Sequence, residues 1–587
     1  MRAGKIKPTL AGLCWLALLL PIQAGAEVGA SAPPPDETAG NGVIYPAREI
    51  ITMDPARPRT EAVLVAGGRI VATGTLDEVR ALAGDATSID RTFADKVIVP
   101  GLIEQHVHPV LSALTLTSEI IAIEDWVLPG RTYPATRSRE AYMTRLRQVE
   151  AGMRDPQAPL VSWGFHHYFH GKLTRADLDA VSTSRPIVIW HRSGHEFILN
   201  TAALGLAGVT REQVARTEQA VREQINFEQG HFWERGALEF LSPHILPLIG
   251  KPAQLRAGLE LSARYLHAAG VTTAAEPGGV SGFYPQQIAV LGNTASPFRF
   301  YFIPDGRSLA LEHRGADLLA ATEGVQNGAQ GHTAFLPRQV KLFSDGAIFS
   351  QLMQMEDGYL DGHKGEWMMD KEVFNSAFRT YWDAGYQIHI HQNGDGGLER
   401  VLDALEENMR RNPRRDHRTT IVHFGFSSPR QIDRIARLGA IVSANPYYTV
   451  ALANQYSDFG IGPERANDMV RLGDVSRAGV PFSLHSDMPM APAQPLFLMW
   501  AAVNRTTFSG RTAGPAQTLT VEQALRAVTL DAAYSLRLES EVGSIEPGKR
   551  ANFTVLEDSP FQVSPQSIKD IRVWGTVLEG RVQPVEP

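Results

Sequence analysis

The stretch from Val97 to His108 constrains this 587-residue chain more than any other. Val97, Ile98, Val99, Leu102 and Ile103 form the apolar run of a strand covered on both faces in a parallel sheet, broken by Pro100-Gly101. His106 and His108 follow at its far end. Strand side chains alternate faces, so an i, i+2 pair points the same way and two imidazoles can converge on one cation without a bend in the backbone. Unsupported, a His-x-His pair is more often two surface or core histidines than two ligands. Its meaning depends on what the other strands carry.

Beyond His108, apolar runs predict strands at Val271 to Ala275, Phe298 to Ile303, Val340 to Phe343, Gln387 to His391, Thr420 to Phe424, Ile441 to Ala444 and Phe482 to His485. With the His106 strand they make eight. Helices fall between several of them. Leu255, Leu259, Ala263 and Leu266 share one face that Gly270 ends; Leu398, Val401, Leu402 and Leu405 share another; Ser428-Pro429 starts a third with Ile432, Ile435 and Leu438. Eight β/α units in order predict an α/β fold, a (β/α)8 TIM-type barrel with its active site at the C-terminal strand ends. A doubly wound open sheet is the alternative. Residues 109–250 are too long for one connection and read as an insertion after barrel strand one. They carry Trp163, His166, His167, Tyr168, His170, Trp190, His191 and His195, with a strand at Pro186 to Trp190, and are expected to shape a substrate pocket.

Short β-type runs bracket this middle: Ile50 to Met53, Ala62 to Val65 and Arg69 to Ala72 before it, Phe553 to Leu556 and Val573 to Leu578 after it. They suggest one small discontinuous β-sandwich built from residues 42–97 and 491–587, the latter including C-terminal helices, around a barrel at 98–490. Ahead of it, residues 27–41 read as a Pro- and Gly-rich leader. Residues 1–26 read as a signal peptide: Arg2, Lys5 and Lys7, an apolar core from Leu10 to Leu20 too short to span a bilayer, and Ala24-Gly25-Ala26 before Glu27. The chain is therefore expected to cross the inner membrane to the periplasm, with no stable membrane insertion after cleavage. The single cysteine, Cys14, would leave with the signal, and the formal charge would move from −7 to −10. Nothing in that balance invites nucleic acid.

Polar anomalies sit at the strand ends. Lys341 lies between Val340 and Leu342; His389 and His391 end the fifth strand; His423 is on the sixth; Asp487 follows the eighth. A lysine inside an apolar strand is costly as a free ammonium. Carboxylation removes that cost and makes the side chain an anionic oxygen ligand able to bridge two cations.

In this pattern the chain resembles the amidohydrolase superfamily of metal-dependent hydrolases. Within it, the chain is most similar to the family 3 branch that includes N-substituted formamide deformylase. The resemblance is carried by Val340-Lys341-Leu342-Phe343-Ser344-Asp345-Gly346, His391-Gln392-Asn393-Gly394-Asp395, the His423 strand and Gly543-Ser544-Ile545-Glu546-Pro547-Gly548-Lys549. It implies a metal site of His106, His108, carboxylated Lys341, His391, His423 and Asp487, and makes His195 a candidate for substrate contact. The chain departs from the pattern at Glu104, Gln392-Asn393 and His485; His389 fits core packing one layer deeper. Imidazole and carboxylate ligands suit two Zn²⁺ per chain. The activity so implied is hydrolysis of an amide or N-substituted formamide C–N bond in a small molecule, with Asp487 as the proton shuttle. A deaminase, an esterase, lactonase or cyclic amidase on the same site, and a non-catalytic binding scaffold, are the rivals; homo-oligomerisation is left open.

Overall fold

The computed structural model describes residues 42–586 except 85 and 156. The expected signal peptide and leader lie outside the described residues. Among the described residues no helix is long and apolar enough to cross a membrane.

The two ends of the chain meet in one mixed sheet, ordered Arg581–Pro584, Val573–Leu578, Phe553–Leu556, Val97–Pro100, Val43–Ile51, Arg59–Ala66 and Arg69–Gly74, with Ser88–Ile89 alongside Val43–Ile51. The seam is the antiparallel pairing of Phe553 to Leu556 with Pro100 to Val97. Tyr45, Ile50, Val63, Ile98, Phe553 and Val555 are buried in its core.

One expectation is corrected here. The apolar run from Val97 to Ile103 is not a single strand but two: Val97–Pro100 belongs to the terminal sheet and Leu102–Glu104 to the parallel sheet of the middle. The chain changes sheets at Gly101, whose N–H goes to Asn552 O at 2.8 Å, while Leu102 N donates to Thr554 Oγ1 at 2.9 Å. Thr272, next door on the following strand, presses so close that a Cβ on residue 101 would stand 2.0 Å from its Oγ1. Only glycine fits the crossing.

All eight expected middle strands form, every adjacent pair parallel. They lie in two arcs. One holds Leu102–Glu104, Val271–Gly279 and Arg299–Pro304, and the other Gln339–Phe343, Gln387–Gln392, Thr420–His423, Ile441–Ala444 and Phe482–Leu484. A further strand, Thr333–Phe335, pairs with Arg299–Pro304 and takes the edge that Gln339–Phe343 would otherwise occupy. The arcs meet there through a single parallel bridge, Asp305 to Lys341, and at the other side through Val107 to Met488. At this second seam side chains replace the ladder: Gln105 Nε2 donates to Ser483 Oγ at 2.6 Å and Leu484 O at 3.2 Å.

The helices follow from their caps. Ser428 and Gln431 form a capping box at the head of Pro429–Leu438, and Gly439 closes it in the left-handed region. Asp395–Arg411 buries Leu398, Val401, Leu402 and Leu405, the expected face. Residues 109–250 contain a six-stranded sheet of their own, ordered Ile225–Asn226, His231–Trp233, Glu196–Leu199, Ile187–His191, Leu160–Phe165 and Glu119–Ile120. One face covers Tyr142, Leu146 and Leu178. From the other, Trp163, Trp190 and Phe197 enter the same cluster as Val107, Val110 and Phe300 of the middle. The insertion is therefore packed on the parallel strands at the end where His106 and His108 emerge.

Candidate metal centre

Every site residue expected from the sequence lies on one recess. His106, His108, His195, Lys341, His391, His423 and Asp487 line it together with Ser193, Phe343, Phe349, Asn393, Tyr448 and Met490. His389 does not line it; its Nε2 is paired with Gln339 Oε1 at 2.9 Å one layer deeper.

The strand ends place these groups. His106 and His108 stand beyond Glu104, fixed by backbone bonds from Val107 N to Ala275 O, His108 N to Met488 O and Asp487 N to His106 O, all 2.9–3.0 Å. Lys341 and His389 are register partners, as are Phe343 and His391. Gly278, at φ +89°, lies against the Lys341 stem, where a Cβ would come within 3.1 Å of Lys341 Cγ. His423, Phe424 and Asp487 all hold positive φ, at 75°, 52° and 59°. Backbone strain in non-glycine residues is stored here, where it aims side chains into the recess.

The polar atoms face one another without ordinary partners. Asp487 Oδ1 is 3.4 Å from His106 Nε2 and 3.2 Å from His108 Nε2, and its Oδ2 is 3.6 Å from His423 Nδ1. Ligand atoms of His106, His108 and Asp487 all fall within 4.8 Å of one another. His106 Nε2, Asp487 Oδ1 and Lys341 Nζ are buried with no hydrogen-bond partner. Orphaned buried donors and acceptors are expensive unless something binds them. Asn393 Nδ2 stands 3.0 Å from His391 Nε2, and His485 bridges Ser443 Oγ at 2.8 Å and His423 Nδ1 at 3.1 Å.

Electrostatics favour neutral ligands. Burial first, then the Lys341 cation and neighbouring imidazoles, hold His106 well below the ordinary histidine range; burial with His391 and Lys341 does so for His423, and burial with Lys341 and His195 for His391. Burial pulls the Lys341 amine down to about 7, against the pull of Asp487 and Asp305. His108 goes the other way. Burial would lower it, but Asp487 and Glu276 raise it to about 9. The neutral imidazoles, the carboxylate and the unpartnered amine are a donor set that fits divalent cations of the zinc class.

Sequence reasoning missed two acids. Glu276 reaches within 3.8 Å of His108 Nδ1, with its Oε2 buried and unpartnered. Its signal was an acid directly after an apolar run, masked because Pro277-Gly278-Gly279 looks like a turn although the strand continues through it. Glu234, from the insertion, accepts from His195 Nδ1 at 2.8 Å and from Ala347 N at 3.0 Å. Glu104, the first departure from the family pattern, accepts from Ser486 N at 2.9 Å and so ties the first strand to the loop of Asp487. Arg192, buried against Glu124, donates to Met490 O at 2.6 Å and ties the insertion to the same loop.

Parallel strands whose C-terminal ends gather imidazoles, a lysine and a carboxylate define the class of metal-dependent hydrolases. The profile of the amidohydrolase family matches residues 94–583, and the chain belongs to that family. It is 27% identical over 562 residues to N-substituted formamide deformylase of Arthrobacter pascens, covering 90% of this chain and 96% of that protein. It is 23% identical over 557 residues to YtcJ of Bacillus subtilis (strain 168), covering 91% and 97%. Among solved structures, a metal-dependent hydrolase from Pyrococcus horikoshii OT3 superposes with a TM-score of 0.68 at 19% identity, over 89% of this chain and 99% of that one. That likeness shows the fold.

Proposed function

We propose that this chain hydrolyses a carbon–nitrogen bond, an amide or an N-substituted formamide, in a small molecule, at a centre of His106, His108, Lys341, His391, His423 and Asp487. The observation that carries the reading is the convergence of these six side chains on one recess with His106 Nε2, Lys341 Nζ and Asp487 Oδ1 left without partners. Kinship with the Arthrobacter pascens deformylase supports the bond type.

We read the centre as one that would hold two Zn²⁺ per chain through His106, His108, His391, His423, Asp487 and a carboxylated Lys341. Burial lowers the amine to about 7, so that a substantial fraction is neutral at neutral pH and can add to CO₂, forming an N–C bond and releasing one proton. The carbamate so formed is an anion where a free ammonium would be costly. Divalent cations held there act as Lewis acids on a substrate carbonyl and make water a stronger acid. Asp487 takes one proton from the attacking water as the C–O bond forms and returns it to the departing nitrogen, after which the C–N bond breaks and the products are an acid and an amine. Its carboxylate is aimed by the left-handed turn at residue 487 and by the bond from Asp487 N to His106 O. His195, fixed through Nδ1 by Glu234, has Nε2 left for substrate. Phe343, Phe349 and Tyr448 give the recess apolar walls suited to an N-substituent.

The same reading takes the two arcs as halves of a closed (β/α)8 barrel and the terminal sheet as the discontinuous sandwich, with export directed by residues 1–26. A hydrolysis screen of purified protein over N-formyl and N-acyl amines, amino-heterocycles, esters and lactones tests it. Formate and free amine released from an N-substituted formamide is the expected result. Turnover confined to amino-heterocycles with ammonia release, or to esters and lactones, would overturn the substrate class.

A further inference from the structure

The insertion holds a second cluster that the hydrolytic centre does not use. His167 opens a short helix, His191 ends the strand Ile187–His191, Glu196 opens Glu196–Leu199 and His231 opens His231–Trp233. Three imidazoles from three separate elements turn toward one carboxylate. His167 Nε2 is 2.6 Å and His231 Nε2 2.5 Å from Glu196 Oε1, and His191 Nδ1 is 3.7 Å from Oε2. Ligand atoms of His167, His191 and Glu196 lie within 4.8 Å of one another. None of the four lines the recess of the first centre.

Hydrogen bonding alone does not account for the arrangement. Two ring nitrogens crowd one oxygen at separations shorter than the usual N–H···O distance of about 2.9 Å. His191, wholly buried, meets Ser193 N at 3.1 Å and Ser193 Oγ at 3.0 Å through the Nδ1 nearest Glu196, while the other ring nitrogens of the pair, His191 Nε2 and His167 Nδ1, are buried without any partner. Burial, opposed by Glu196, leaves His191 neutral, lowered to about 3. Burial would raise the Glu196 carboxyl, yet the three imidazoles hold it well below the ordinary range. Neutral imidazole and ionised carboxylate are the ligand forms of both groups.

We propose that His167, His191, Glu196 and His231 form a structural binding site for a zinc-class divalent cation, separate from the hydrolytic centre. Three nitrogens and one oxygen complete a tetrahedral shell and leave no open position, the mark of a structural rather than a catalytic zinc. With bonds of about 2.0–2.1 Å, ligand atoms in such a shell stand about 3.3 Å apart. The contacts at 2.5 and 2.6 Å then lengthen and His191 draws in, its Nδ1 exchanging the Ser193 contacts for the ion. His167 and His231 are partly exposed and give the ion a path in. The site also has a mechanical role. Glu196 Oε2 accepts from Ser350 Oγ at 3.2 Å, and Ser350 follows Ala347, Ile348 and Phe349, which line the recess of the first centre. A cation here ties the insertion sheet to the wall of the substrate pocket.

The test is zinc content of the full-length protein, loaded with excess Zn²⁺ and desalted, in four forms: parent, His167→Ala/His231→Ala, His106→Ala/Asp487→Ala, and all four substitutions together. Circular dichroism checks that each is folded. His167→Ala/His231→Ala is expected to lose one zinc per chain, and the same loss is expected again in the His106→Ala/Asp487→Ala background, so the two losses add. Glu196→Gln, which keeps the shape, should lose the same ion, and in the His106→Ala/Asp487→Ala background Co²⁺ should give four-coordinate absorption that Glu196→Gln abolishes. Unchanged zinc in folded His167→Ala/His231→Ala, or four-coordinate cobalt that survives Glu196→Gln, would overturn the proposal. Either result leaves the reading of the hydrolytic centre untouched, because that reading is judged by the second pair.

Discussion

In the proposed reaction Asp487 is the residue on which proton transfer turns. Its Oδ1 faces two imidazoles and its Oδ2 a third, so it can both help hold a cation and exchange a proton with the nucleophile. Asp487→Asn keeps size and an oxygen donor but removes the base. We expect it to fold, to retain most of its metal and to lose turnover by at least about 10²-fold, whereas His106→Ala should lose metal and activity together; paired kinetics and elemental analysis decide. Near-parental turnover of metal-loaded Asp487→Asn would remove the shuttle. The six candidate ligands stood out in the sequence as polar residues on or just beyond apolar strand runs, and the resemblance to the amidohydrolase superfamily made them one ligand set. Glu276, Glu234 and Glu196 were not, since their partners come from distant segments: His108 meets Glu276 across two neighbouring strands, and Glu196 meets His231 only through the pairing inside the insertion.

At the scale of elements, the parallel strands and their helices were readable from apolar runs and caps, and the structure returns them with ends shifted by a residue or a few. The division of Val97 to Ile103 was not readable. Its apolar pattern is continuous, and only the partners, Phe553–Leu556 on one side and Val271–Gly279 on the other, separate it into two strands. Thr333–Phe335 is too short to announce itself by periodicity, yet it decides where the two arcs part. The crossing at Gly101 is accordingly a point of tight packing. Gly101→Ala drives a methyl group into Thr272 and should cost about 1–3 kcal/mol, measured as a fall in the urea midpoint with no change of slope. Adding Thr272→Ala removes the nearest atom and should return part of the loss. No change on Gly101→Ala would mean that the crossing is looser than described.

Across the whole molecule, the terminal sheet is fastened to the parallel strands by charge as well as by packing. Arg299, on a middle strand, meets Glu579 in the last hairpin at 2.5 and 3.0 Å, and Arg550 meets the same carboxylate. Burial would raise Glu579, but Arg299 and Arg550 lower it to about 2 from its ordinary 4.5. Because the folded value is depressed, the stabilisation is complete above the ordinary value and is lost as pH falls toward about 2. Glu579→Gln should therefore lower the melting temperature at neutral pH, and the gap from the parent should narrow as pH drops from about 5 to about 3. A gap that stays constant over that interval would show that the carboxylate keeps its proton equilibrium unchanged on folding.

In the function we propose, this fold performs hydrolysis through cations held by its strand-end histidines, Lys341 and Asp487. Metal removal and return tests it most directly. Protein dialysed exhaustively against a strong chelator, with depletion verified by elemental analysis, is assayed on an N-substituted formamide turned over by the untreated protein, before and after Zn²⁺ is restored. Turnover should fall to the uncatalysed background on depletion and return with added Zn²⁺ in the parent but not in His106→Ala. Full turnover by verified metal-free protein would contradict it.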